Sequence, residues 1–161
     1  MERNEFTQTS ITTDATFAIQ KLSLLHITYS SDIFVGILQR SPNLVELRVM
    51  HSSFDDRCCA ALVSCPKLEV LNLMSTKITS AGTDYISDRF FVVLILSGLV
   101  HIALLSNLRR LSVRYTQVGD EGIMHLTPIL PQLTLLDCSK CPSVRESIVP
   151  IARTNCILDV R

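Results

Sequence analysis

Four stretches of this chain repeat one spacing of apolar residues: Leu44, Leu47 and Val49; Leu68, Leu71 and Leu73; Leu108, Leu111 and Val113; Leu133, Leu136 and Cys138. A fifth, Leu22, Leu25 and Ile27, precedes them. The starts at 22, 44, 68, 108 and 133 stand 22, 24, 40 and 25 residues apart. A unit of this length cannot enclose its own apolar residues. It must bury them against the next copy, so the period alone demands a stack of coils rather than a closed globule.

Other columns keep the same period. Eight residues after each start comes Ser30, Ser52, Thr76, Thr116 or Cys141, a small polar position where the coil turns and bonds to its neighbour. Fourteen after each start comes Gly36, Cys58, Gly82, Gly122 or Ser147, always small. Pro42, Pro66 and Pro131 stand two before a start, where a proline ends the preceding helix. The segments from Ile78 to Gly82 and from Val118 to Gly122 are near copies.

The L-x-x-L-x-L core is that of a leucine-rich repeat. Alternate residues of its short strand point inward and outward, and an amphipathic helix such as Asp120–Leu126 returns the chain. The expectation is one α/β solenoid over 1–161, with a parallel concave β-sheet, convex helices, about five clear repeats and partial coils at both ends. Phe6–Ala15 superposes on Leu73–Gly82, and Ile157–Arg161 begins a further strand. Neither end supplies a polar cap, so both ends read as uncapped and the isolated chain as marginal and prone to association.

Cys65–Gly82, and Leu133–Val144 with Cys141, resemble the cysteine-containing, ribonuclease-inhibitor-like repeats of F-box/LRR proteins. The resemblance implies a non-catalytic protein-recognition module, the substrate-binding part of an SCF-type ubiquitin ligase receptor. No F-box is visible ahead of the first repeats. The alternative is a structural or regulatory segment of a larger receptor or scaffold, or a truncated gene product.

The 40-residue period contains Phe90–Leu105, sixteen residues without Asp, Glu, Lys or Arg. A membrane span is disfavoured, because the run is short and would part in-phase repeats that need to stack. An insertion of one 16-residue block also fits, since joining Ile86 to Ala103 restores a clean repeat, and a retained intron has that signature. The preferred reading of the irregular stretch 87–105 is an extra strand at Phe91–Leu96 with a shortened connection.

Composition narrows the function. Fifteen basic residues balance fifteen acidic ones, so neither nucleic acid nor an anionic membrane is an expected partner. No apolar leader follows Met1 and no Asn-x-Ser/Thr acceptor occurs, which favours the cytoplasm or nucleus. The cysteines sit among apolar residues and read as buried thiols in a reducing compartment. Cys138 and Cys141 form a C-x-x-C pair, but the repeat columns already account for both. The acidic pairs Asp55–Asp56 and Asp120–Glu121 fall at first helical turns, where carboxylates suit the helix dipole. With the four histidines dispersed over different repeats, no catalytic, cofactor-binding or metal-binding residues are expected, and no enzyme.

The outward positions of the concave strands are the candidate binding surface. They are Leu24, His26 and Thr28 in the first repeat, then Glu46, Arg48 and Met50, Val70, Asn72 and Met74, Arg110, Ser112 and Arg114, and Leu135, Asp137 and Ser139, with Tyr29, His51, Tyr115 and Lys140 at the edge. Arginine, tyrosine and methionine are enriched at protein interfaces. The cluster Arg48, Arg110, Arg114 and Tyr115 points to a protein partner with an acidic segment. The competing reading is that these are solvated strand residues.

Overall fold

The computed structural model describes residues 16–80, 98–145 and 157–159. Six strands form one parallel sheet in chain order: β1 (Lys21–Leu25), β2 (Glu46–Met50), β3 (Val70–Asn72), β4 (Arg110–Ser112), β5 (Leu135–Asp137) and β6 (Ile157–Asp159). Among the described residues four helices return the chain: α1 (Ser31–Gln39), α2 (Asp56–Ala60), which continues as a 3₁₀ turn over Ala61–Ser64, α3 (Gly98–Ala103) and α4 (Asp120–Ile129). Residues 1–15, including the early partial coil at Phe6–Ala15, lie outside the described residues.

One ladder fixes the register, with Leu22 beside Leu47, then Leu71, Leu111, Leu136 and Leu158. Leu47, Leu71, Leu111 and Leu136 are buried, as are the first-column residues Leu44, Leu68, Leu108 and Leu133. This corrects the first repeat. Leu22 occupies the second leucine column, so that coil starts at Ile19, and the first spacing is 25 rather than 22. The cause is an ambiguity of three residues, because Ile19, Leu22 and Leu24 fit L-x-x-L-x-L as well as Leu22, Leu25 and Ile27 do. A slip by an odd number exchanges the two faces of a strand. Leu24 therefore packs against the core, and Leu25 is 49% exposed on the concave side.

Just past each of β1 to β5 one residue takes a left-handed backbone: His26, His51, Ser75, Tyr115 and Lys140, with φ between 51° and 61°. None is glycine, although this region costs a side-chain-bearing residue about 1–2 kcal/mol. Ladder hydrogen bonds on either side hold the turn: His26 N donates to Met50 O, His51 N to Met74 O and Ser75 N to Arg114 O. The small polar column follows. Thr76 Oγ1 donates to Leu73 O (2.7 Å) and Thr116 Oγ1 to Val113 O (2.6 Å), so both close their own coil. Cys141 Sγ reaches the neighbouring coil, 3.1 Å from Val113 O and 3.6 Å from Thr116 Oγ1.

The long period resolves by following columns. β3 pairs directly with β4, Val70 with Arg110 and Asn72 with Ser112, so no strand of the sheet lies between them. The expected extra strand at Phe91–Leu96 falls in residues 81–97, outside the described residues. Asp56, Ser80 and Asp120 play one part in successive coils. Each accepts a backbone N–H from the following coil, of Thr79 (2.9 Å), Gly119 (3.2 Å) and Arg145 (2.7 Å) respectively. On the helical side Cys59, Leu99 and Ile123 form one buried column, and Leu62, Ile102 and Leu126 another.

Helix α3 lies between α2 and α4. A Cβ on Gly98 would meet Asp56 Oδ1 at 2.6 Å and Cys59 Sγ at 2.9 Å, and one on Gly122 would meet Leu99 and Ser80. Gly98 thus stands where an uninterrupted repeat would place Gly82. Seventeen residues, 81–97, occur where the neighbouring coils use one. Gly98–Ile102 also copies Gly122–Leu126 position by position: glycine, apolar, apolar, histidine, apolar.

Candidate functional site: the concave face

The sheet's outward rows are now defined. One runs Lys21, Glu46, Val70, Arg110, Leu135; the next Ser23, Arg48, Asn72, Ser112, Asp137. Leu25 and Met50 begin a third row, which Met74, Arg114 and Ser139 extend just beyond the shorter strands. Leu24, His26 and Thr28 leave the concave list for the register reason above, and Lys21, Ser23 and Leu25 replace them.

The cations divide into two groups. Arg48 is engaged, because its Nε and Nη2 both lie 2.6 Å from Glu46 Oε1. Lys21 Nζ approaches the other Glu46 oxygen at 3.2 Å. These two partners, Arg48 foremost, hold the Glu46 carboxyl below its ordinary range. The β1–β2 half therefore largely satisfies its own charge.

The Arg110 side chain is exposed and makes no hydrogen bond or ion pair with the described residues. The Arg114 guanidinium lies 5.2 Å over the Tyr115 ring. Its Nε is shut off from solvent without a hydrogen-bond partner. An idle buried donor of this kind costs about 1–3 kcal/mol, and stacking on Tyr115 returns part of that. Tyr115 itself is half exposed.

Asn72 and Asp137 share a row and share a task. Asn72 Oδ1 accepts from Met74 N (3.0 Å), and Asp137 Oδ1 accepts from Ser139 N (3.1 Å) and Ser139 Oγ (2.6 Å). Asp137 Oδ2 also accepts from Ser112 Oγ at 3.2 Å. Both side chains shape the turn that leads into the left-handed residue, a local bond typical of Asn and Asp. Met50 and Met74 are half-buried. His51 stacks on His26 with centroids 4.8 Å apart and planes 7° from parallel, a pair that the misplaced first register concealed. The structure brings Met74, Arg110, Arg114, Tyr115 and Asp137 together around β4, and leaves Arg48, Met50 and His51 on the other half of the face.

The remaining chemistry is structural. Asp55 caps α2, accepting from Cys58 N (3.1 Å) and from Ser31 Oγ (2.6 Å). Burial raises its pKa, and these hydrogen bonds outweigh that and hold it below the ordinary value. Asp56 takes both the N–H and the hydroxyl of Thr79. Cys58, Cys59, Cys65, Cys138 and Cys141 are buried free thiols. Burial pushes Cys58 and Cys65 up to about 11 and raises Cys59 well above its ordinary value. Among the described residues no group of three or more metal-ligating side chains converges, and no helix is long and apolar enough to cross a membrane.

A family model described as leucine-rich repeat matches residues 64–87 and 105–126. No curated protein matches the sequence. An internalin from Listeria monocytogenes is similar in structure, with a TM-score of 0.48 and 17% identity over 83% of this chain. The match spans 38% of that protein's chain. The leucine ladder, the repeated left-handed turn and the matched repeats together make this chain an α/β leucine-rich repeat solenoid.

Proposed function

We propose that this chain is a non-catalytic protein-recognition module that binds an acidic protein segment on its concave face, centred on β4. The observation that carries the reading is the contrast between arginines. Arg48 is neutralised within the sheet, whereas Arg110 and Arg114 stand together without a carboxylate partner among the described residues. Unpaired arginines beside Tyr115, Met74 and Leu135 form the mixture of charge and soft apolar surface that protein interfaces favour.

The finer reading is the substrate-binding part of an SCF-type ubiquitin ligase receptor, acting in the cytoplasm or nucleus. It rests on the cysteine-containing repeat pattern around Cys65 and Cys141, and buried free thiols suit a reducing compartment. Pull-down with the wild-type chain and an Arg110→Glu/Arg114→Glu variant tests the binding reading, with circular dichroism confirming that the variant is folded. Loss of specific partners supports it, and an unchanged partner list removes this face. Ubiquitination of a captured partner that does not depend on this chain would remove the ligase reading alone.

A further inference from the structure

We propose that the β4 region of the concave face reads an extended peptide in which two acidic residues stand four apart with a basic residue midway, the order acidic-x-basic-x-acidic. The inference rests on the concave face being a recognition surface and specifies what it recognises.

Arg110 opens β4 and Arg114 lies two residues past its end, where Val113 N to Asp137 O and Ser75 N to Arg114 O continue the ladder, so the two stand four residues apart on one side, about 13 Å at the rise of an extended chain. A bound extended peptide has the same rise and the same alternation. Its residues i and i+4 therefore face one way and reach the two guanidinium groups together. Neither group is engaged by a described carboxylate. Arg114 is prepared further, because the Tyr115 ring beneath it limits its rotation. A carboxylate arriving there meets a guanidinium already oriented, which lowers the ordering cost of binding.

Between the two cations the sign reverses. Ser112, midway along the segment, donates its hydroxyl to Asp137 on the adjacent strand, so the Asp137 carboxylate lies beside the centre of the site. Three hydrogen bonds from Ser112 and Ser139 fix that carboxylate in place. An acidic residue at i+2 is opposed by it, and a lysine or arginine there is matched. The surface order is plus, minus, plus, and the complementary peptide is minus, plus, minus.

Fluorescence anisotropy with the full chain and short labelled peptides tests the pattern. One peptide carries Glu-x-Lys-x-Glu in a Gly/Ser background. A second has the same composition with both Glu residues adjacent to Lys, a third has Glu in place of the central Lys, and a fourth carries a single phosphoserine. The first should bind at least about tenfold more tightly than the second and third. Arg110→Ala and Arg114→Ala should each abolish that preference. Equal affinity among the three unphosphorylated peptides, or no measurable binding by the first, overturns the pattern. Tighter binding of the phosphoserine peptide through one arginine also overturns it and assigns the face to phosphate. The broader reading fails separately: partners lost in the pull-down without any spacing preference condemn only the pattern, and unchanged partners condemn the recognition surface.

Discussion

Leu71 and Leu111 are neighbours in the sheet although forty residues of chain separate them, whereas Leu47 and Leu71, one coil earlier, are twenty-four apart. The ladder does not register the difference. All the excess falls between Ser80, which bonds the next coil as Asp56 and Asp120 do, and Gly98, which packs in the glycine column. The third coil is therefore a regular repeat carrying sixteen surplus residues.

That arithmetic predicts two deletions with different outcomes. Removing 82–97 keeps Leu99 and Ile102 in the buried helical columns, and removing 87–102 places Thr83 and Ile86 there instead. The first variant should fold cooperatively and be at least as stable as the parent, because fewer residues between Ser80 and Gly98 cost less to close. The second should be less stable than the first by about 1–3 kcal/mol, since a threonine replaces a buried leucine. Urea denaturation of both compares them directly. A first variant that fails to fold would show that residues 82–97 are part of the coil.

The left-handed turn offers a test of the repeat geometry itself. Ser75 has φ 55° and sits between two coils whose ladder it completes. Ser75→Val should destabilise by about 1–2 kcal/mol, because a β-branched residue suits this region worst. Ser75→Gly should be neutral or mildly stabilising, as relief of backbone strain offsets the greater freedom of the unfolded chain. Thermal melts in which Val and Gly behave alike would contradict the assignment of this column.

Much of this was legible in the sequence because each coil repeats its chemistry. The Leu68, Leu108 and Leu133 columns, the Thr76 and Thr116 turn, and the Asp55 cap all follow from residue type at a fixed spacing. The first repeat misled because Ile19, Leu22, Leu24, Leu25 and Ile27 satisfy two registers three apart, and nothing local separates them. Each left-handed residue stands seven after its coil start, and His26 keeps that offset only when the first coil starts at Ile19. The neutralisation of Arg48 was only half legible. Its partner Glu46 is two residues away on the same strand face, but the Lys21 contribution requires the corrected register. The turn-shaping bonds of Asn72 and Asp137 were not legible, because outward side chains and turn-forming side chains share these positions.

Stability should depend on pH at both extremes. Asp55 and Glu46 are held below their ordinary values of 3.8 and 4.5, so their contribution is present above those values and lost as pH falls through the lower native ones. Cys58 and Cys65 are raised from 9.0 to about 11, so the contribution of their neutral burial is full below pH 9.0 and fades as pH rises towards 11. Melting temperatures should therefore form a plateau that falls on the acid side near pH 4 and on the alkaline side above pH 9. Thiol labelling of the native chain at pH 8 should leave Cys58, Cys59, Cys65, Cys138 and Cys141 unmodified until denaturant is added. Immediate native labelling of any of the five would contradict the buried columns.

The division of the concave face into a satisfied half and an open half is the central claim, and a comparison of arginines tests it most directly. Isothermal titration of a captured partner against Arg48→Ala, Arg110→Ala and Arg114→Ala separates the halves, because Arg48 is spent on Glu46 whereas the other two are not. Affinity should fall by at least about tenfold for Arg110→Ala and for Arg114→Ala, and by less than about twofold for Arg48→Ala. Equal losses at all three positions, or a loss confined to Arg48→Ala, would contradict the account.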